Sequence, residues 1–237
     1  MKKLEGKIAF ITGAASGIGK ATAGKFISEG AKVYTLDLNE DALKKMTEEF
    51  GAEHFAYQVG SVADEAAVDK AFADCAARFG EVDILVNNAG LGIPTPDLST
   101  TSLADYRKMV EVNMTGVFLA SRAALRQMKP RARGHIMNLI SMAGQRTNPG
   151  APVYCASKFG ARGLSSGLAD QMIKAGIKVS DINPGPVNSN YWGSREVPRD
   201  KFLQVEEVAD IILFVAATPE HLVVREINFD NMKWLAK

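Results

Sequence analysis

The sequence predicts a doubly wound α/β fold, in which a mainly parallel seven-stranded sheet carries helices on both faces. Three observations lead to this prediction. Short apolar runs alternate with helical patterns along nearly the whole chain. The strand segments are continuously apolar, as expected for strands buried on both faces. A glycine-rich turn joins the first strand to the first helix, so right-handed strand–helix–strand crossovers can begin there and place helices on both sides of the sheet.

The elements of this fold follow one another in a regular order. Strands are predicted at residues 7–11, 32–36, 54–59, 82–86, 135–140, 177–182 and 226–229. Helices are predicted from the glycine turn to about residue 29 and at residues 41–50, 64–79, 103–112, 114–128, 154–175 and 206–216. Residues 184–205 are rich in proline, asparagine and aromatic residues and predict a mobile loop with little regular structure. Neither an internal repeat nor a long linker divides the chain, so we expect one domain over residues 1–237, with residues 232–237 unassigned.

Composition and charge argue against several classes of protein. The 28 basic and 27 acidic residues leave a formal net charge of +1, so no overall field draws the protein to nucleic acid or to an anionic membrane. Lys129, Arg131 and Arg133 form a small basic cluster that we expect in a solvated loop. Cys75 and Cys155 lack the spacing of a zinc site or a disulfide framework. The N-terminal apolar run is too short for a secretion signal or a membrane span, so we expect a cytoplasmic protein without metal or membrane partner.

The turn after the first strand carries three spaced glycines. Gly13, Gly17 and Gly19 lie where the strand passes into a helix, and glycine lets a backbone come close to a bound pyrophosphate. The N-terminus of the helix then faces the anion. The spacing is G-x-x-x-G-x-G, and by itself it also fits a tight connection that binds nothing.

An acidic residue supports the dinucleotide interpretation. Asp37 follows Gly19 by 18 residues at the end of the second strand, close to the offset of about 20 at which a carboxylate binds the adenosine ribose. A 2′-phosphate there would meet a like charge, and Leu38 supplies no neighbouring cation. The pair therefore predicts NAD(H) rather than NADP(H), with helix capping as the alternative role of Asp37. The segment 87–90, Asn-Asn-Ala-Gly, ends the fourth strand and either supports the cofactor or forms only a turn.

Tyr154 and Lys158 are candidates for proton transfer. Hydride transfer from an alcohol carbon requires that the hydroxyl proton leave as well, so the site needs a base. Tyrosine titrates near pH 10, and operation near pH 7 takes about three pKa units, on the order of 4 kcal/mol. Residues four apart share one helix face, so the Lys158 ammonium can stabilise the phenolate. In isolation, Tyr-x-x-x-Lys is a common pattern on surface helices.

Two further polar residues strengthen this assignment. Ser141 directly follows the apolar strand 135–140, at the sheet edge where the cofactor loops emerge, and its hydroxyl can donate to a carbonyl or accept from an alcohol. Asn113 lies within a long helical pattern, where its amide can hold a water or kink the backbone. Each residue alone is also compatible with an ordinary structural role.

Together, these features closely resemble the short-chain dehydrogenase/reductase family over nearly the whole chain. The matching motifs are Thr-Gly-x-x-x-Gly-x-Gly at 12–19, Asn-Asn-Ala-Gly at 87–90, Asn113, Ser141 and Tyr154-x-x-x-Lys158. The resemblance implies a Rossmann fold in which Tyr154 exchanges the proton and Ser141 orients the substrate oxygen. It also implies that Lys158 lowers the pKa of Tyr154 and holds the nicotinamide ribose, and that Asn113 positions a relay water.

The resemblance implies a cofactor site and an assembly as well. Residues 184–187 resemble the family segment whose backbone meets the nicotinamide carboxamide, and Ser189 stands at a usual threonine position. The residues expected to bind NAD are Gly13, Ser16, Gly17, Ile18, Gly19, Asp37, Leu38, Ser61, Val62, Asn88, Ala89, Gly90, Tyr154, Lys158, Pro184, Gly185, Val187 and Ser189. Family members associate through their long central helices, which implies a homodimer or homotetramer.

Three departures from the family pattern limit what the resemblance implies. Ser61 stands where relatives often have an aspartate that touches adenine, which predicts a weaker or water-mediated contact. Only residues 188–205 separate Val187 from the next helix, which predicts a more open pocket. The end of the chain lacks the Asp-Gly-Gly sequence common in the family, so a dimer is favoured over a tetramer.

The leading hypothesis is an NAD(H)-dependent oxidoreductase that interconverts a secondary alcohol and a ketone of low molecular weight. The alternative from another class is a non-catalytic NAD-binding redox regulator, which has no need for the four polar residues of the active-site pattern. An epimerase or dehydratase acting through a transient ketone is a third possibility, which no sugar-nucleotide segment supports.

The sequence leaves the substrate open. Tyr191, Trp192 and Leu203 indicate a partly apolar cavity. Residues 145–148 contain Gln145, Arg146 and Asn148, which fit either a polar substrate group or an ordinary surface.

Overall fold

The apolar runs of the sequence assemble into one parallel sheet. A computed structural model describes residues 2–236, and its strands are β1 (Ile8–Thr12), β2 (Lys32–Asp37), β3 (Phe55–Val59), β4 (Ile84–Asn87), β5 (Gly134–Leu139), β6 (Ile177–Pro184), β7 (Val187–Asn188), β8 (Leu203–Gln204) and β9 (Glu226–Phe229). Seven strands pair in parallel in the order β3-β2-β1-β4-β5-β6-β9. The predicted doubly wound, seven-stranded fold is therefore confirmed.

Helices cover both faces of this sheet. They are α1 (Gly17–Ser28), α2 (Glu40–Phe50), α3 (Glu65–Arg78), α4 (Leu103–Val110), α5 (Gly116–Met128), α6 (Pro152–Met172), α7 (Val205–Ala216) and α8 (Met232–Leu235). Side chains on a strand alternate between faces, so the neighbours Phe10 and Ile11 of β1 enter different cores. Ile11 packs in the core that contains α1, α2 and α7, and Phe10 packs in the core beneath α3, α5 and α6. The Phe10 ring stacks on Phe72 of α3 with 4.0 Å between centroids.

The order of the strands places a crevice between β1 and β4. The chain proceeds from β1 outward through β2 and β3, then returns to β4 on the other side of β1 and continues through β5 and β6. Doubly wound sheets bind ligands at such a reversal, outside the carboxyl ends of the strands. The glycine turn, residues 87–90 and Ser141 all lie at this edge.

A π-helix joins the two predicted helices on either side of Asn113. It spans Glu111–Thr115 and connects α4 to α5 without a break. Single π turns arise where an additional residue enters a helix and are frequent at functional sites. The buried Asn113 side chain lies at the middle of this π-helix and is hydrogen-bonded to the backbone of Leu91.

Between β6 and α7 the chain forms only short regular elements, which agrees with the little regular structure predicted for residues 184–205, and the predicted mobility stays a prediction. β7 and β8 pair with each other, and 3₁₀ turns span Asn190–Trp192 and Arg199–Lys201. The Arg199 guanidinium donates to Asn188 Oδ1 at 2.9 Å, which joins the two ends of the segment.

The prediction of a solvated basic cluster is wrong for Arg131. Its side chain is only 18% exposed and forms ion pairs with Asp83 at 2.9 Å and Glu81 at 3.0 Å. These acids lie just before β4 and are too far away in the sequence to be recognised as partners. Within residues 2–236, no helix is long and apolar enough to cross a membrane.

Candidate active site and cofactor cleft

The glycine turn between β1 and α1 is packed so closely that Gly13 and Gly19 have no room for a side chain. Gly13 has φ +70°, and a Cβ atom there would lie 2.8 Å from Ala89 Cα. Gly19 is equally restricted, because its Cβ would lie 2.5 Å from Asn88 Nδ2 and would overlap the Gly13 carbonyl oxygen. Gly17 has φ +56°, a backbone conformation that glycine adopts without strain. Close packing thus explains Gly13 and Gly19, while the positive φ explains Gly17.

The N-terminus of α1 opens onto the crevice. Ser16 is exposed at the N-cap position, and the first turn contains Lys20 but no acidic residue. The first backbone N–H groups of a helix point along its axis and carry partial positive charge. This helix end is therefore suited to a phosphate or pyrophosphate.

Asn88 fastens the glycine turn to the end of β4. Its side-chain amide donates to the carbonyl oxygens of Thr12 at 3.0 Å and Gly13 at 2.8 Å. The Thr12 hydroxyl accepts from the backbone N–H groups of Asn88 and Ala89 at 3.0 and 3.1 Å. The predicted residues Asn88 and Ala89 thus shape the cleft by holding its two edges together.

Asp37 directs its carboxylate toward the glycine turn. Oδ2 accepts from the Ala15 N–H at 2.9 Å, and Oδ1 accepts from the Asn39 N–H at 3.1 Å. The helix cap itself is Asn39, whose side chain accepts from the Ala42 N–H, so Asp37 is free of that role. Each carboxylate oxygen can accept more than one hydrogen bond, so capacity remains for ribose hydroxyls. Leu38 beside it is 72% exposed.

The remaining predicted cofactor residues surround the same cleft. Val62 is buried beneath α5, while the Ser61 hydroxyl accepts from the Ala63 N–H at 3.1 Å. Ser189 lies opposite the glycine turn, since a Cβ on Gly17 would approach its Cβ to 3.6 Å. Gly185 donates its N–H to the Phe229 carbonyl at 2.8 Å, which fixes the segment after β6.

These features fit a dinucleotide. The cleft combines a closely packed glycine turn, a helix N-terminus without acidic residues and a carboxylate that is hydrogen-bonded to the turn. A pyrophosphate matches the first two features, and a ribose diol matches the third.

Ser141 has a strained backbone at the edge of this cleft. Its φ of 102° and ψ of 155° lie in a region that side-chain-bearing residues rarely adopt. The Ser141 hydroxyl accepts from the Ala143 N–H at 3.1 Å, and its interaction with Tyr154 opposes the burial that raises the pKa of that phenol. This backbone conformation directs the hydroxyl of Ser141 toward Tyr154, in the first turn of α6.

Lys158 follows Tyr154 by one helical turn and is almost fully buried. Its ammonium donates to the Leu139 carbonyl at 2.8 Å and lies 5.9 Å from the centre of the Tyr154 ring. Gly90 lies near it, since a Cβ there would come within 3.6 Å of Lys158 Nζ and of Asn113 Oδ1. The fold thus places Ser141, Tyr154 and Lys158 together.

The pKa values of this group differ from the sequence-based expectation. Burial, followed by the neighbouring Tyr191, raises the pKa of Tyr154 well above its usual value, and the hydrogen bond from Ser141 acts in the opposite direction. Burial lowers the pKa of Lys158 to about 8. The Lys158 ammonium donates to the Leu139 carbonyl oxygen in this structure, and the expected lowering of the Tyr154 pKa by Lys158 stays a prediction.

Asn113 is fully buried and connects three segments. Its Oδ1 accepts from the Leu91 N–H at 2.8 Å, and its Nδ2 donates to the Leu91 carbonyl at 2.8 Å and to Ser157 Oγ at 2.9 Å. The side chain therefore fixes the irregular segment after residues 87–90 against α6. Ser157 was not singled out from the sequence, although its position next to Lys158 was a possible signal.

The polar residues after Ser141 form bonds within the protein. Gln145 donates to Glu226 and Asn228 of β9, and Arg146 pairs with Asp230 at 3.4 Å. Gln145 and Arg146 were predicted either to meet a polar substrate group or to lie on an ordinary surface. Their observed contacts are structural, because they connect this segment to residues 226–230.

A row of polar side chains crosses the sheet beside the site. Asn87, Asn138 and Asp181 face one another across β4, β5 and β6. Asn87 donates to Asn138 at 2.8 Å, Asn138 donates to Ser165 at 2.8 Å, and Ser165 donates to Asp181. Burial is the main cause that raises the pKa of Asp181 to about 6. No local sequence pattern predicts this row, because its register emerges only in the assembled sheet.

Comparison with known proteins adds a family to this geometry. A family model described as short chain dehydrogenase matches residues 7–199. A sorbitol dehydrogenase of Cereibacter sphaeroides is 32% identical over 258 residues, which cover 99% of this chain and 100% of that protein.

Solved structures show the same architecture. A 3-ketoacyl-(acyl-carrier-protein) reductase from Brucella melitensis, in complex with NADH, aligns with a TM-score of 0.90 and 28% identity over 97% of this chain and 99% of that one. An alcohol dehydrogenase from Thermococcus sibiricus, in complex with 5-hydroxy-NADP, aligns with a TM-score of 0.88 and 27% identity over 96% and 97% of the chains. Both NADH and an NADP derivative thus occur among similar structures.

Proposed function

The chain belongs to the short-chain dehydrogenase family, and on this premise we propose that it is an NAD(H)-dependent oxidoreductase that interconverts a secondary alcohol and a ketone. The observation that carries the proposal is the meeting of Ser141, Tyr154 and Lys158 at the edge of a cleft shaped for a dinucleotide. A bound nicotinamide would supply or accept the hydride.

In this proposal Tyr154 is the general acid in ketone reduction and the general base in alcohol oxidation. Its raised pKa keeps the phenol protonated at neutral pH, as the reducing direction requires. The Ser141 hydroxyl lies beside the phenol and orients the substrate oxygen toward it. Lys158 bears positive charge below its pKa of about 8 and favours the phenolate that remains after proton donation.

We assign the cofactor as NAD(H) on the basis of Asp37. Its carboxylate is held at the ribose end of the cleft by the Ala15 and Asn39 N–H groups. A 2′-phosphate would bring negative charge to this carboxylate, and Leu38 offers no cation. The predicted cofactor residues around the glycine turn, residues 61–62, residues 88–90 and residues 184–189 would complete the site.

The assembly proposed for the protein is a homodimer or homotetramer in the cytoplasm, acting on a small molecule. The supporting observation is an apolar outer face on α6, where Phe159 and Leu164 are exposed. Association through the long central helices would cover this face.

The central test combines cofactor binding with turnover. Purified protein is mixed with NADH and a panel of small and bulky ketones, and NADH absorbance at 340 nm is followed. Tyr154→Phe should reduce kcat by about 10²–10⁴-fold with NADH affinity largely retained. Tyr106→Phe, an exposed tyrosine on α4, is the matched control and should retain activity. Retained NADH binding without turnover of any ketone would instead favour the non-catalytic regulator.

A further inference from the structure

A second tyrosine lies directly against Tyr154. Tyr191, from the 3₁₀ turn Asn190–Trp192, places its ring centroid 5.7 Å from that of Tyr154 at an angle of 53°. The two phenol groups interact, and this interaction adds to the burial that raises the pKa of Tyr154. Burial raises the pKa of Tyr191, and the interaction with Tyr154 opposes that shift, as expected when the Tyr154 hydroxyl is the donor.

The Tyr191 side chain reaches deep into the site because Gly92 leaves room for it. A Cβ atom on Gly92 would overlap the Tyr191 hydroxyl and the adjoining ring carbons. Gly92 lies just beyond the segment 87–90, on the stretch that Asn113 binds through Leu91. The hydroxyl of Tyr191 is therefore enclosed by Tyr154 on one side and by the Gly92 backbone on another.

Contacts from outside the site hold Tyr191 in this position. The Arg195 guanidinium lies 5.1 Å from the Tyr191 ring centre and 5.0 Å from that of Trp192. Trp192 is fixed in turn, because its indole N–H donates to the Val187 carbonyl at 2.7 Å and its ring packs on Phe202 at 5.1 Å. Gly193, next to this pair, has φ +54°, a left-handed backbone conformation that glycine adopts without strain.

We propose that Tyr191 is a specificity-determining gate whose hydroxyl occupies the place where a substrate oxygen binds Tyr154. This inference rests on the proposed function of Tyr154. A phenol has one proton to donate, so the Tyr191 hydroxyl and a ketone oxygen compete for the same donor. A small ketone needs to displace only the hydroxyl, whereas a bulky ketone must also displace the ring and break its contact with Arg195. The gate therefore selects against bulky substrates.

The first experiment measures access to Tyr154 without any substrate. Protein is treated with N-acetylimidazole near neutral pH, and O-acetylation is quantified by mass spectrometry in the tryptic peptides 147–158 and 179–195, which contain Tyr154 and Tyr191 separately. We expect Tyr154 to be acetylated several-fold faster in Tyr191→Ala than in the wild type. Arg195→Ala, which keeps Tyr191 but removes its outer contact, should give an intermediate rate, and Tyr106→Phe should match the wild type. Equal rates in the wild type and Tyr191→Ala would overturn the gate.

The second experiment measures steady-state kinetics with one small and one bulky ketone. Tyr191→Phe removes the competing hydroxyl but keeps the ring, so KM for the small ketone should fall by about 2- to 12-fold, the equivalent of one hydrogen bond. Tyr191→Ala should raise kcat/KM for the bulky ketone relative to the small one. An increase of KM in Tyr191→Phe would overturn the proposal, because the hydroxyl would then assist substrate binding.

The two experiments separate failure of the gate from failure of the proposed function. Absence of turnover in the wild type and in all variants, with NADH still bound, would refute the oxidoreductase assignment. The acetylation rates would still decide whether Tyr191 shields Tyr154. NADH affinity and thermal melting of each variant verify that it is folded.

Discussion

Asn113 donates a hydrogen bond from Nδ2 to Ser157 Oγ at 2.9 Å and so connects the π-helix to α6. Ser157 in turn contacts the backbone of Tyr154, because its hydroxyl donates to the Tyr154 carbonyl oxygen at 2.7 Å. Tyr154, one turn before Ser157, and Lys158, the residue after it, belong to the candidate site. The fold thus uses the buried amide of Asn113 to set the position of the first turns of α6.

Removal of the Ser157 hydroxyl is predicted to destabilise the protein. Ser157→Ala leaves a buried N–H of Asn113 without its acceptor, which costs about 1–3 kcal/mol. The free energy of unfolding, measured by urea denaturation, should fall by this amount. Ser166→Ala on the exposed side of the same helix is the control and should change it by less than about 0.5 kcal/mol. Equal free energies of unfolding for Ser157→Ala and Ser166→Ala would show that the hydrogen bond from Asn113 to Ser157 does not stabilise the protein.

The backbone conformation of Ser141 is predicted to lower the stability of the folded protein while it places the hydroxyl beside Tyr154. Its φ of 102° stores backbone strain on the order of 1–3 kcal/mol, which alanine retains and glycine relieves. Because glycine also costs about 0.5–1 kcal/mol in chain entropy, Ser141→Gly should be more stable than Ser141→Ala by roughly 1 kcal/mol. Both variants lose the hydroxyl, so kcat should fall by about 10²–10³-fold in each.

Thermal and urea unfolding of the Ser141 variants measures the difference. Ala73, exposed in the middle of α3, provides the opposite control, since Ala73→Gly in a helix should destabilise by about 1 kcal/mol. If Ser141→Gly proves less stable than Ser141→Ala, the backbone at Ser141 is not strained.

Local sequence patterns were sufficient to predict the sheet and much of the site. β1 is apolar at successive positions because Phe10 and Ile11 enter cores on opposite faces, and this pattern is visible in the sequence. Tyr154 and Lys158 share a helix face through their spacing alone. Such features depend on residues close together in the chain.

Features that depend on distant partners were missed. Arg131 is part-buried because Asp83 and Glu81 meet it in the folded protein. The π-helix follows from the contacts of Asn113 with Leu91 and Ser157. The approach of Tyr191 to Tyr154 requires the path of the whole segment after β6, which no periodicity encodes.

Cofactor preference is predicted to depend on the charge of Asp37. Asp37→Asn keeps an acceptor for the Ala15 N–H but removes the negative charge that opposes a 2′-phosphate. The ratio of the NADPH to NADH dissociation constants should therefore fall by about tenfold, equivalent to about 1.4 kcal/mol. Fluorescence titration with each cofactor measures the ratio, and Asp41→Asn in the exposed first turn of α2 should leave it unchanged. Equal affinities of the wild type for NADH and NADPH would contradict the NAD(H) assignment.

Asp181 is predicted to make the stability depend on pH. Burial raises its pKa in the folded protein to about 6, above the usual value of 3.8, while Ser165 and Arg162 oppose the shift and Glu226 adds to it. Between these two pH values the folded protein binds more protons than the unfolded chain, so stability decreases as pH rises from about 4 to 6. The difference of roughly two pKa units limits the effect to about 3 kcal/mol.

Asp181→Asn removes this titration while retaining an acceptor for Ser165. Its free energy of unfolding should exceed that of the wild type at pH 7.5 by up to about 3 kcal/mol, and the advantage should shrink toward zero at pH 4. Urea denaturation at both pH values measures the change. Asp170→Asn, which affects an exposed carboxylate paired with Arg225, should show no comparable pH-dependent gain. A lower stability of Asp181→Asn at pH 7.5 would mean that the ionised carboxylate stabilises the polar row through its hydrogen bonds by more than its burial costs.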